Sequence, residues 1–154
     1  MTVQRIGTPP VLPNGAKVPL FPATRVGDLI FCSGALGVDE NFKLVEGGVG
    51  AQTRQAIANL QSVLATTGAT LADVAKTTVW LTDLANFAEF NAAYAEAFGE
   101  YLPARSTVAS ALAIPGALPR LERSSSDRAL QHTLRPYSAG NRFSSMARAG
   151  KAVS

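Results

Sequence analysis

The spacing of apolar positions along the chain changes several times, and each spacing predicts an element. Val3–Ile6, Ala23–Val26 and Leu29–Ser33 are short β-prone runs. Gly27-Asp28 separates the last two, and such a pair makes a two-residue hairpin turn because glycine accepts the positive φ the turn demands. The proline-rich stretch from Thr8 to Pro22 reads as an irregular crossing, and Val38–Leu44, with its Asp-Glu-Asn, as a surface turn. From about Gly50 to Thr67 the spacing becomes helical. Ile57, Leu60 and Leu64 form one apolar stripe, Gln55, Asn59 and Ser62 take the other side, and Gly68 follows as a C-terminal cap. Val74–Thr82 is a β-branched strand with Ala75, Thr77, Val79 and Leu81 expected on one face. A second helix is predicted over Phe87–Phe98, with Phe87, Phe90, Tyr94 and Phe98 apolar and Gly99 as the stop. Asn86 and Glu89 have capping-box spacing. After Pro103, Ala104–Ser110 reads as a further strand. The order β-β-α-β-α-β predicts an α+β fold, a mixed sheet with two helices packed on one face.

A final strand is due after Pro115-Gly116-Ala117-Leu118, but the pattern breaks there. Residues 119–154 are rich in Ser and Arg, and only Ala129–Leu134 suggests a turn or two of helix. Pro119 lacks the N–H a central strand needs. We therefore expect one domain over residues 1–118 and a divergent, largely irregular tail over 119–154, the pattern that a shifted reading frame would leave. Charge follows the same division. The tail holds seven of the 14 basic and two of the 11 acidic residues, a net of +5, which leaves −2 for the body of a 154-residue chain whose total is +3. The body thus gives no electrostatic reason to expect nucleic acid as a partner. The chain is 47% hydrophobic, enough for a real core, and a domain of this size often gains by pairing with its own copies. Its single cysteine, Cys32, permits no internal disulfide and fits a reducing compartment. No apolar run approaches the roughly 18 residues of a membrane span. The N-terminus has no secretory h-region, so the expected location is cytoplasmic.

Few residues offer chemistry. His132 is the only histidine and lies in the tail, so no histidine cluster for a metal and no Ser-His-Asp triad is expected. Cys32, inside an apolar strand, reads as a buried, inert thiol. Arg105 is different. It opens a strand of small or uncharged residues and shares a face with Thr107 and Ala109. A lone arginine there needs an anionic partner, since burying an unpaired charge is costly. The residues leave two readings open. One is an internal salt bridge, or an arm lying over the surface. The other is a ligand site in which the guanidinium grips a carboxylate with two hydrogen bonds.

Five segments in register carry a resemblance. They are Phe31-Cys32-Ser33-Gly34, Gln52-Thr53-Arg54-Gln55-Ala56 with Asn59-Leu60, Val74–Asp83, Phe90-Asn91 with Tyr94 and Phe98, and Pro103-Ala104-Arg105-Ser106. Over about residues 20–118 this pattern resembles the Rid (reactive intermediate deaminase) family. The resemblance implies a chorismate-mutase-like fold and a homotrimer with sites between subunits. It implies hydrolytic deamination of 2-imino acids or enamines, such as 2-aminoacrylate or 2-iminobutyrate, to 2-oxo acids and ammonia. No metal or organic cofactor is implied, and no membrane partner. It gives Arg105 the substrate carboxylate, groups near Ser33, Gly34 and Thr107 the imine end, and Asn91 a place in the cleft wall. Two positions depart from the family pattern. Leu20 stands where an entrance tyrosine is usual. Arg120 stands where the family's last strand carries a water-activating glutamate, and arginine is no general base. Glu122, two residues on, would supply a replacement carboxylate displaced by roughly 6.6 Å. A second function therefore stays open: a non-catalytic trimer that binds small carboxylates.

Overall fold

The computed structural model describes residues 2–126. Six strands form one sheet: β1 (Val3–Ile6), β2 (Ala23–Val26), β3 (Leu29–Leu36), β4 (Val74–Leu81), β5 (Ala104–Ala109) and β6 (Pro119–Ser126). Their order across the sheet is β1-β2-β3-β6-β4-β5. Only β4 and β5 run parallel; every other neighbouring pair is antiparallel, so the sheet is mixed. Two helices, α1 (Gly48–Ala65) and α2 (Phe87–Phe98), pack against each other, and α1 also packs on β3 and β6. The core lies between helices and sheet. Ile57, Leu60 and Leu64 of α1 and Phe90, Tyr94 and Phe98 of α2 are buried there against Ile30, Val79, Leu81 and Leu121. The expected α+β layering is the observed one.

Several details differ from the sequence reading. In β4, Thr77, Val79 and Leu81 are fully buried, but Ala75 is exposed because the register shifts between Val74 and Lys76 where β4 meets β6. Asn86 makes no side-chain cap on α2. A short 3-10 turn, Leu84–Asn86, precedes the helix, and Asp83 accepts from the Ala85 N–H at its start. Glu89 is spent elsewhere, accepting from the Gly50 N–H at 3.0 Å.

The largest correction concerns β6. The expected irregular tail begins instead with a strand at the centre of the sheet, paired with β3 on one side and β4 on the other. Pro119 is tolerated because it is the strand's first residue, where a missing ladder N–H costs least. Two neighbouring backbones hold the segment where its side chains give little apolar pull. Pro119, Leu121, Arg123 and Ser125 are buried, while Arg120, Glu122 and Ser124, facing the other way, are half-buried. The boundary drawn at residue 118 therefore cuts the domain short. Residues 127–154, with His132 and the helical turn expected at Ala129–Leu134, lie outside the described residues.

Arg123 shows what this arrangement costs. It is 4% exposed. Its Nη2 donates to the Leu60 carbonyl at 2.7 Å and approaches Cys32 Sγ at 3.4 Å, while Nε and Nη1 have no partner. Burial pushes its pKa below the usual arginine value, opposed by its contact with Cys32.

Candidate functional site

Strand alternation divides the candidate residues between the two faces of the sheet. Thr77 lies opposite Arg105, and Val79 opposite Thr107, on the parallel ladder of β4 and β5. Both β4 residues face the helices, so Arg105 and Thr107 do as well. Trp80 lies opposite Arg120, and Thr78 opposite Glu122, on the β4–β6 ladder. These four face away from the helices. Arg105 and Arg120 therefore stand on opposite faces.

On the helix side, β5 is an edge strand, and Arg105 lies half-buried against α2. Its guanidinium carbon lies over three rings, 5.7 Å from Phe87, 5.3 Å from Phe90 and 4.8 Å from Tyr94. The Tyr94 hydroxyl is fixed by a 2.7 Å hydrogen bond with Thr77 Oγ1. Burial raises the Tyr94 pKa above its ordinary value, opposed by the Thr77 bond and the Arg105 charge. Among the described residues no carboxylate pairs with Arg105. Two polar atoms of this cluster are also buried without a partner, Asn91 Oδ1 on α2 and Thr107 Oγ1 on β5. Asn91 lies one turn after Phe87, on the side of α2 that carries the cage.

On the other face a cavity of about 1160 Å³ opens, with Leu20, Ser33, Gly34, Trp80, Arg120 and Glu122 in its wall. Ser33 and Gly34 form an irregularity in the β3–β6 pairing, between the Cys32 and Ala35 pairs. Ser33 is held by its Oγ donating to the Phe21 carbonyl at 2.7 Å. Arg120 lies across Gly34, where a Cβ would fall 2.1 Å from Arg120 Nε, so a larger residue there would push the guanidinium aside. The guanidinium also lies 4.9 Å from the Trp80 ring and pairs with Glu122.

One feature behind the site concerns Gln52. Its side-chain amide donates to the Gly116 carbonyl at 3.2 Å and accepts from the Leu118 N–H at 2.9 Å, fastening the segment that enters β6 onto α1.

The sequence model of a family described as endoribonuclease L-PSP matches residues 14–119. The chain belongs to this family, also called Rid or YjgF. A relative named 3-aminoacrylate deaminase RutC, from Acinetobacter baylyi, is 38% identical over 112 residues, covering 70% of this chain and 89% of that protein. A fission-yeast protein named mmf1, mitochondrial, is 42% identical over 91 residues, covering 59% of this chain and 56% of its own. Among solved structures, RidA from an Antarctic Psychrobacter superposes with a TM-score of 0.70 at 33% identity, over 80% of this chain and 98% of that one. The YjgF product of E. coli gives 0.71 at 29% identity, over 81% and 99%. The Rid fold expected from the sequence is thus the one found.

Within one chain, the predicted site residues form two groups. Leu20, Ser33, Gly34 and Glu122 meet at the cavity, together with Arg120. Arg105, Thr107 and Asn91 belong to the helix side. Trp80 was not anticipated as a site residue. The signal was present, since alternation puts this one tryptophan on the face opposite Val79 and Leu81.

Proposed function

We propose that this Rid-family chain hydrolyses 2-imino acids and enamines, such as 2-aminoacrylate or 2-iminobutyrate, to 2-oxo acids and ammonia. It acts as a homotrimer whose sites lie between copies. The observation that carries this reading is the Arg105 guanidinium, held by three rings at a sheet edge with no carboxylate partner among the described residues. An oriented, unpaired guanidinium is suited to a two-point grip on a substrate carboxylate. On the same side of the sheet, Asn91 Oδ1 and Thr107 Oγ1 are buried without a hydrogen-bond partner. Placing the cavity face of one copy against the Arg105 edge of the next would unite both groups of residues in one cleft.

In that cleft the clamp fixes the substrate and the Ser33-Gly34 irregularity orients the imine end. Water adds to the imine carbon, the C–N bond breaks, and ammonia leaves with a 2-oxo acid remaining. Glu122 is the cavity carboxylate that would hold the water. The activity in the name of the A. baylyi relative, an enamine deaminase, supports the substrate class. The proposed compartment is the cytosol. The unpaired Cys32 fits it, the mitochondrial relative is the alternative, and fractionation of cells expressing the tagged chain separates the two.

A second reading is a trimer that binds small carboxylates without turning them over. Arg120 favours it, because it takes the glutamate's position in the family pattern and occupies Glu122. Incubation with freshly generated 2-aminoacrylate separates the readings. The enzyme speeds its loss, and Arg105→Ala lowers kcat/KM by about a hundredfold, the scale of truncating one partner of a desolvated charge pair. A background rate with retained 2-oxobutyrate binding means the module. Activity unchanged in Arg105→Ala overturns both.

A further inference from the structure

We infer that Arg120 is a second anion receptor, which directs the site to small dicarboxylic 2-oxo and 2-imino acids. The inference rests on the reading that Arg105 of an adjacent copy takes the first carboxylate. Among the described residues lining the cavity, Arg120 is the one cation; the others are apolar, neutral or acidic. The acidic groups do not contest this role equally. Asp39 Oδ1 is spent on the backbone N–H groups of Asn41 and Lys43, as the organiser of its turn. Glu40 is exposed to solvent. Glu122 alone meets Arg120.

The guanidinium is set in place before any ligand arrives. Trp80 lies 4.9 Å from the guanidinium carbon, and the guanidinium also lies against the Gly34 backbone, in the space a Cβ would take. A planar fork packed in this way has fewer conformations open to it, so less ordering opposes binding. Its bond to Glu122 uses Nη2 alone, which leaves the other N–H groups of the fork outside that bond. Both partners remain 38% exposed, and an ion pair so solvated is weak. An incoming carboxylate can therefore share the fork with Glu122 or displace it. A monocarboxylate held by Arg105 would leave this cation unused. A dicarboxylate of matching length would use both.

The test compares 2-oxopentanoate with 2-oxoglutarate, which differ only by the second carboxylate, using calorimetric titration of the full chain. The wild type is expected to bind 2-oxoglutarate at least tenfold more tightly. Arg120→Gln should bring the two affinities together. Arg105→Gln should weaken both ligands. Equal affinities in the wild type, or a preference that survives Arg120→Gln, overturn the inference while leaving the Arg105 reading intact. If Arg105→Gln changes neither affinity, or the wild type binds neither ligand, the proposed function fails and takes this inference with it. Should Arg120→Gln not fold, the wild-type ratio together with Arg120→Lys decides. Lysine keeps the charge without the fork, so a part of the preference should remain.

Discussion

Tyr94 serves two neighbours at once: its ring is one wall of the Arg105 cage, and its hydroxyl meets the buried Thr77. Tyr94→Phe keeps the wall and orphans the Thr77 hydroxyl, so it should cost about 1 kcal/mol of stability in chemical denaturation while leaving carboxylate binding within twofold. Burial raises the Tyr94 pKa in the folded chain. The stability tied to its neutral form is therefore complete below the ordinary tyrosine value of about 10 and is lost as pH rises through the raised one. Wild type should lose stability on alkaline titration over that window, and Tyr94→Phe should show a smaller loss. At this scale the sequence was informative about identity and less so about surroundings. Arg105 stood out as a lone cation on an uncharged strand. Its aromatic cage depended on α2 lying over β5, a contact between residues distant in the chain that no local pattern encodes.

Among elements, β6 is the least self-consistent. Its core-facing residues include Arg123, with two unpartnered nitrogens, and Ser125, whose hydroxyl is also unpartnered. Replacing Arg123 with leucine removes a buried charge and fills the same space, and should stabilise the chain by about 2 kcal/mol, seen as a melting temperature roughly 4–8 °C higher. Lower thermal stability in this variant would mean that the bond to the Leu60 carbonyl outweighs burial of the charge. The helices and strands up to residue 109 were legible because periodicity, turn glycines and branched residues agreed with one another. β6 was not, because its pairing with β3 and β4 overrides a composition that predicts no strand. The family match stops at residue 119, where that composition begins. Resequencing and translating the neighbouring frames should uncover an alternating strand of V-E-I-E type if the segment has been shifted. The capping box at Asn86 misled for another reason: Glu89 has a better use bridging to α1.

For the whole molecule, the two half-sites on opposite faces of one sheet make assembly a requirement of the proposed function. Sedimentation should give a trimer. Co-expressing Arg105→Gln with Glu122→Gln, each inactive alone, should restore activity in mixed trimers, since on the order of a quarter of the clefts draw both intact residues from different copies. No recovery would place the whole site within one subunit. The mixed sheet and its helices followed from the order of elements, but the division of site residues between its faces depended on register. Gln52 helps to hold that register. By gripping Gly116 and Leu118 on either side of Ala117, its amide fixes the segment that leads the last strand to its neighbours. A slip of one position would exchange the two sides of that strand, sending Leu121 and Arg123 outward and sealing Arg120 and Glu122 beneath the helices. A neutral side chain on α1 thus helps to keep Arg120 and Glu122, rather than Leu121 and Arg123, on the cavity side.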